Sequence, residues 1–378
     1  MNKPTTLSWT ESGETRTARW RSENGAPPPE RVVVADDRIT ADAAYRLARD
    51  GTALLWRGDF QNARQLLQAL ARRADRKPRV GSEKPFTSLA EAFHHRRKVQ
   101  ARRAQILGML LLPFDADHTI PLRRAPDVRQ ACLEAYGETN EPYVASLREL
   151  LGLIGAHEWR KKGVKVAALD GRIHAYYGVF SPVRGEYVGL VAEAPLPSKT
   201  LAFDIGTGTG VLAAVLAKRG VKHVVATDQD PRALTCARDN IARLGLQEQV
   251  EVVQADLFPE SRAPLIVCNP PWVPTQPSSP LERGIFDPES RMLLGFINGL
   301  ATHLEPSGEG WLILSDLAEH LGLRSRAELL TAFDAAGLKV ISKMDVRPNH
   351  PRVCDDSDPL HAARAAEVTS LWRLRQNV

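Results

Sequence analysis

Cysteine is scarce in this chain of 378 residues: Cys132, Cys236, Cys268 and Cys354 are scattered and share no metal-ligand spacing. That excludes a disulfide framework and a zinc cluster, and it points to reduced thiols in a cytoplasmic protein. Long apolar runs are missing too. The longest, Ile106 to Leu112, stops at Pro113, well short of the about 20 residues a membrane helix needs. The first thirty residues are polar with no apolar core, so no secretory signal is expected there. What remains, 43% hydrophobic and 25% charged, is the composition of a soluble globular protein, and the length predicts two domains.

Charge is unevenly spread. Residues 1–195 carry 31 Lys and Arg against 23 Asp and Glu, a net +8, whereas the remainder nets −3. The densest stretch runs from Arg72 to Arg103 and includes Arg76, Lys77, Arg79, Lys84, Arg96, Arg97, Lys98 and Arg102. Its second half reads as a helix that begins near Ser88, a residue suited to capping. A run of this kind fits a nucleic-acid contact along phosphates. With no interleaved aromatic platform, it fits a solvated helix face or a docking surface for an acidic protein equally well.

Residues 1–30, ending in Pro27-Pro28-Pro29, read as a flexible arm. Strands are expected at 31–35 and 52–56, each followed by a helix, at 41–49 and 59–73, with further helices near 126–136 and 141–151. These make residues 31–160 an N-terminal recognition domain of mixed α/β, helix-rich character. Asp170-Gly171 between alternating apolar residues predicts a hairpin, which opens a linker over 161–195.

From residue 196 to the end, strand and helix alternate. Strands are expected at 201–205, 223–228, 250–256, 264–269, 311–315, 339–346 and 369–374. Helices fall at 211–218, 231–244, 288–304 and 324–336. The fold class is therefore α/β, with a doubly wound, seven-stranded, Rossmann-like sheet.

Two stretches in this half carry chemistry. Leu265-Ile266-Val267-Cys268 reads as a buried strand, and Asn269-Pro270-Pro271-Trp272 ends it, because proline has no N–H for a ladder and fixes φ. An amide and an indole are thereby held at the carboxyl edge of the sheet, where ligands of open α/β folds bind. The second stretch, Asp204-Ile205-Gly206-Thr207-Gly208-Thr209-Gly210, joins the first strand to its helix. Gly208, Gly210 and Ala213 also satisfy a dinucleotide-binding pattern, with Asp228 at a suitable distance for ribose hydroxyls. Three features favour S-adenosylmethionine instead: an acid ahead of the first glycine, Asp256-Leu257-Phe258 after the third strand, and the Asn-Pro-Pro-Trp turn after the fourth.

Together these residues resemble the class I S-adenosylmethionine-dependent methyltransferases. Within that class they are most similar to release-factor glutamine methyltransferases and small-domain rRNA and N6-adenine methyltransferases. Gly178–Glu186 resembles the segment that covers the cofactor in this group, and the likeness runs from about Gly163 onward. Trp272 stands where the family usually has Tyr or Phe.

The resemblance implies an N-methyltransferase acting on a planar amide or exocyclic amino nitrogen of a protein glutamine or a nucleobase. It implies cofactor contacts from Phe180, Asp204, Gly206, Thr207, Gly208, Thr209, Gly210, Asp228, Gln229, Asp256, Leu257 and Asn269. Asn269 and the Pro270 carbonyl would accept the target N–H groups, Pro271 would stiffen the turn, and Trp272 would stack on the acceptor. No metal is implied, although the 348–367 loop holds His350, Arg352, Asp355, Asp356, Asp358 and His361. That loop and 274–286 are expected to meet the acceptor. A small-molecule N-methyltransferase, a non-catalytic cofactor-binding module and a dinucleotide oxidoreductase are the alternatives.

Overall fold

A computed structural model describes residues 6–76, 86–183, 185–279, 281–348 and 359–377. The chain divides into two compact units, residues 1–85 with 94–158 and residues 86–93 with 159–378. No described helix is long and apolar enough to cross a membrane. Cys132, Cys236 and Cys268 are buried free thiols, and Cys354 lies outside the described residues.

The first unit is built on six strands: β1 (Thr6–Glu11), β2 (Glu14–Trp20), β3 (Arg31–Ala35), β4 (Thr52–Trp56), β5 (Leu110–Phe114) and β6 (Tyr143–Ser146). Their order is β1-β2-β6-β5-β4-β3. The flexible arm expected over 1–30 is thus corrected, since residues 6–20 form a paired hairpin. Ser12 and Gly13 both take positive φ, 54° and 83°, the geometry of a tight hairpin turn. Leu7, Trp9 and Trp20 are buried with Leu55, Leu111 and Val144, which is what holds this polar-looking segment down.

Helices α1 (Ala41–Arg49) and α2 (Phe60–Ala74) start at capping side chains, Thr40 and Asp59. Next come α3 (Leu89–Gly108), where Ser88 Oγ accepts from the Glu91 N–H, α4 (Arg129–Tyr136) and α5 (Leu147–Lys162). The helix expected from 141 is therefore a strand and a helix that abut at Ser146. Within the basic stretch, Arg73 pairs with Asp42 and Arg103 with Asp75, so part of its charge is matched internally. Lys77, Arg79 and Lys84 lie outside the described residues.

In the second unit, β7 (Val164–Val166) and β8 (Gly171–Ile173) form the expected hairpin through a longer loop. A 3-10 turn spans Ala167–Leu169, and Asp170 closes it at φ 46°. Helix α6 (Glu186–Glu193), not anticipated from the sequence, follows. Then come β9 (Leu201–Ile205), α7 (Val211–Lys218), β10 (His223–Asp228), α8 (Pro231–Arg243), β11 (Val250–Gln254) and β12 (Ala263–Cys268). The chain continues through α9 (Arg291–His303), β13 (Leu304–Ser315), α10 (Leu317–His320), α11 (Arg326–Ala335), β14 (Leu338–Val346), α12 (His361–Ala366) and β15 (Thr369–Gln376).

The seven strands from β9 onward order as β11-β10-β9-β12-β13-β15-β14. The first five are parallel, and β15 runs antiparallel between β13 and β14. Alternate residues serve opposite faces. Ala202, Leu265, Val267, Trp311 and Ile313 pack with α6 and α7, whereas Phe203, Ile205, Ile266, Cys268 and Leu312 pack with α9 and α11. Burial on both faces explains why these strands read as continuous apolar runs.

The closing strands are joined by a buried ionic staple. Glu309 on β13 is fully buried and takes two hydrogen bonds of 2.8 Å from Arg373, one of 2.8 Å from Arg375 and one of 3.0 Å from Trp311 Nε1. Burial alone would raise the Glu309 carboxyl, but the bonds from Arg373, Trp311 and Arg375 hold it below its ordinary value. Replacing Glu309 by Ala leaves the Arg373 guanidinium, only 16% exposed, without its carboxylate, and should cost about 3–5 kcal/mol in urea unfolding. A loss below about 1 kcal/mol would contradict a structural role for this staple.

Candidate functional site

Chain order places the site. From β9 the chain steps outward to β10 and β11, then crosses back so that β12 pairs on the other side of β9. The carboxyl ends of β9 and β12 therefore diverge at a topological switch point. A cavity of about 620 Å³ opens there, within the about 300–1,000 Å³ usual for small-molecule sites.

The glycine loop forms its floor. Gly206, Gly208 and Gly210 have φ of 70°, 55° and 80°, a region that side chains rarely enter. At Gly206 a Cβ would also collide with Met292 Cε. The loop is braced from beneath by Asp204, 1% exposed, whose Oδ2 accepts from Thr207 Oγ1 at 2.6 Å and from the Ala213 N–H at 3.0 Å. Thr207 N–H reaches the Thr227 carbonyl at 2.8 Å. Burial, with Asp228 nearby, pushes the Asp204 carboxyl up to about 6 despite those two bonds.

Asp228, at the end of β10, accepts from the Gly208 N–H at 3.0 Å and from the Asp230 N–H at 3.0 Å. Its carboxyl too is raised by burial. Gln229 lies beside it in the cavity wall. Beyond β11, Asp256 is largely exposed, with Arg291 at 4.0 Å. Leu257 takes φ 72° and its carbonyl accepts from Thr227 Oγ1 at 2.6 Å. Phe180 and Gly284 close the opposite side, packed so tightly that a Cβ at Gly284 would meet Phe180 at 2.6 Å.

The register sets Asn269 beside Gly206, one step past the Cys268–Ile205 pair. Asn269 and Pro271 line the cavity. Pro270 is buried behind them. Trp272 does not stand as the open plate expected from the sequence. Its half-buried indole packs against both faces of the sheet core and a satellite cluster holding Phe93, Val273, Leu321 and Leu360, and its Nε1–H donates to Asn269 Oδ1 at 2.9 Å. Following the turn, Trp272 and Val273 N–H groups both reach the Ile285 carbonyl, so 274–286 is a loop pinched at its base.

The twelve residues expected to touch a cofactor thus line one cavity, except Gly210, which turns the chain into α7. Several contributors were missed, Asp230 of the lining among them. Tyr187, on the unanticipated α6, is 3% exposed in the wall. Met292 covers Gly206, and Asp287, 5% exposed, caps α9 by accepting from the Met292 and Leu293 N–H groups at 3.0 Å. The Asp287-Pro288 pair ahead of an apolar run was a readable start signal for the last of these. Of the 348–367 loop, residues 349–358, including His350, Arg352, Asp355, Asp356 and Asp358, lie outside the described residues. Among the described residues no cluster of His, Cys, Asp and Glu could hold a metal ion.

Residues 191–270 match the family described as Ribosomal protein L11 methyltransferase (PrmA). The matched span holds the glycine loop, Asp228, Asp256 and Asn269. The release factor glutamine methyltransferase of Cereibacter sphaeroides is 32% identical over 179 residues, 43% of this chain and 63% of that protein. The ribosomal protein L11 methyltransferase of Vibrio cholerae is 35% identical over 103 residues, 27% of this chain and 35% of that one. The chain thus spans less than two thirds of the length of these curated relatives. A crystal structure of a ribosomal protein L11 methylase from Lactobacillus delbrueckii subsp. bulgaricus aligns at TM-score 0.39 and 20% identity, over 55% of this chain and 87% of that one.

The raised Asp204 carboxyl has a signed consequence. The folded protein holds this proton more tightly than the unfolded chain does, so the stabilisation is complete below about pH 4 and is lost as pH rises through about 6. Asp204→Asn keeps an oxygen for the Ala213 N–H and removes the buried charge. Thermal melts of the ligand-free variant should exceed wild type at pH 7.5 and converge with it at pH 4; a gap that does not change with pH would contradict this.

Proposed function

We propose that this chain is an S-adenosylmethionine-dependent N-methyltransferase whose acceptor is a planar side-chain amide of a protein. The observation that carries the reading is the charge of the cavity beside Asn269. Among the described residues its lining includes four carboxylates, Asp204, Asp228, Asp230 and Asp256, against one cation, Arg283. An acid-rich cavity suits a ligand with a sulfonium and an ammonium, and it opposes the diphosphate of a dinucleotide. This supports S-adenosylmethionine over nicotinamide cofactors at a loop whose glycine spacing admits both.

In this reading Asp228 receives the ribose hydroxyls, and Asp256 with Leu257 and Phe180 borders the base. Asp204 faces the amino acid moiety while bracing the loop. S-adenosylmethionine supplies an electrophilic methyl. Asn269 binds the acceptor group beside Gly206, with the Pro270 carbonyl as the second acceptor that the resemblance calls for. An amide nitrogen is a weak nucleophile because its lone pair is delocalised, so rate comes from holding it in line and excluding water. The curated relatives are named for protein acceptors, which supports a protein over a nucleobase.

Labelled S-adenosylmethionine incubated with the full chain and a cell extract tests this. The label should survive nuclease, be lost on proteolysis, and be released as methylamine by acid hydrolysis, as an N-methylated amide requires. Label in nucleotides would redirect the reading to a base, and label recovered as methyllysine would refute the amide. Asn269→Ala should bind S-adenosylhomocysteine within about threefold of wild type and lose about 100-fold or more in turnover. Turnover within a few-fold of wild type would remove Asn269 from the chemistry.

A further inference from the structure

Resting on that reading of the site, we propose that Trp272 is a positioning residue. Its indole N–H fixes which end of the Asn269 amide meets the acceptor, and the amide so held selects a carboxamide over an alkylammonium. The indole nitrogen is a donor with no acceptor capacity. The end of Asn269 that faces it at 2.9 Å must therefore be the oxygen, and the amide cannot sit the other way round without setting N–H against N–H. The two partners lie three residues apart with Pro270 and Pro271 between them, and each proline fixes its own φ. Little freedom is left in the segment that joins them.

The indole is itself clamped. Its backbone N–H donates to the Ile285 carbonyl at 3.1 Å, and its own carbonyl lies 3.4 Å from Arg324 Nη2. Its ring is wedged against Val273 and the core on both faces of the sheet. A Tyr or Phe at this position offers an aromatic body but no ring N–H, so neither can make this bond.

The consequence is a directional edge. Asn269 lines the cavity, and with one lone pair of Oδ1 committed to the indole it retains a second lone pair and the Nδ2 donors. One acceptor lone pair beside one N–H matches the edge of another carboxamide, whose N–H meets Oδ1 while its C=O receives Nδ2–H. An alkylammonium has no acceptor atom to offer, so it would leave Nδ2 unpaired in the closed site, a mismatch that sites built on polar pairing discriminate strongly.

The test is Trp272→Phe in the full chain, which keeps an aromatic body and removes the N–H. Two independent readouts decide it. In amide and indole proton–nitrogen spectra, the indole resonance that vanishes in Trp272→Phe should move upfield in Asn269→Ala, and the Asn269 side-chain pair should shift in Trp272→Phe. An indole signal identical in wild type and Asn269→Ala would overturn the bond itself. Methyl transfer from labelled S-adenosylmethionine into total cell protein, titrated in protein concentration, should show kcat lowered about tenfold, with S-adenosylhomocysteine binding unchanged. A kcat within twofold of wild type would overturn the positioning role while leaving the methyltransferase reading intact. Absence of transfer by wild type would sink that reading and the acceptor preference, and the spectra would still judge the bond.

Discussion

The strand that ends at Cys268 has to end there. Two consecutive prolines can donate nothing to a ladder, and they follow a strand buried on both sides between β9 and β13. The chain is forced out of the sheet at the point where the sheet order reverses, and the last residue before the prolines is an asparagine. Every other feature of the site is arranged about that exit. Gly206 is the register neighbour, Met292 covers it, and Asp287 anchors the helix that brings Met292 in. Trp272, the first residue free of the proline constraint, turns back and grips the amide.

The cavity beside this exit holds more negative charge than it neutralises. Asp204 and Asp228 are both raised by burial, although each accepts two backbone or hydroxyl hydrogen bonds. Among the described residues no cation pairs with the buried Asp204 or the half-buried Asp228, which leaves their charge for a positively charged ligand to neutralise. The contrast with Glu309 is instructive. That carboxylate is fully buried but is surrounded by Arg373, Arg375 and Trp311, which hold it below its ordinary range, and it serves to lock strands rather than to wait for a ligand.

Much of the second unit was legible because its central strands are buried on both faces and read as continuous apolar runs that alternate with helical patterns. The positions of Asp204, Asp228, Asp256 and Asn269 at successive strand ends followed from the same alternation. What stayed hidden had physical causes. The hairpin of residues 6–20 carries only Leu7, Trp9 and Trp20 as inward anchors among polar neighbours, so composition outweighed its alternation. Strand β5 was masked by Pro113, which is tolerated because pairing with β4 ends at Leu111. Residues 86–93 belong to the second unit, a long-range assignment that no local pattern encodes. Trp272 was identified as an aromatic at the site, but its hydrogen bond to a residue three positions earlier depends on a turn whose shape only the fold reveals.

The most direct measurement is a crystal structure of the chain with S-adenosylhomocysteine bound. The account predicts the sulfur above Gly206, facing the Asn269 amide with room for one acceptor nitrogen between them, and the indole still holding Oδ1. A sulfur turned away from Asn269, or an amide swung off the indole toward the protein interior, would contradict it.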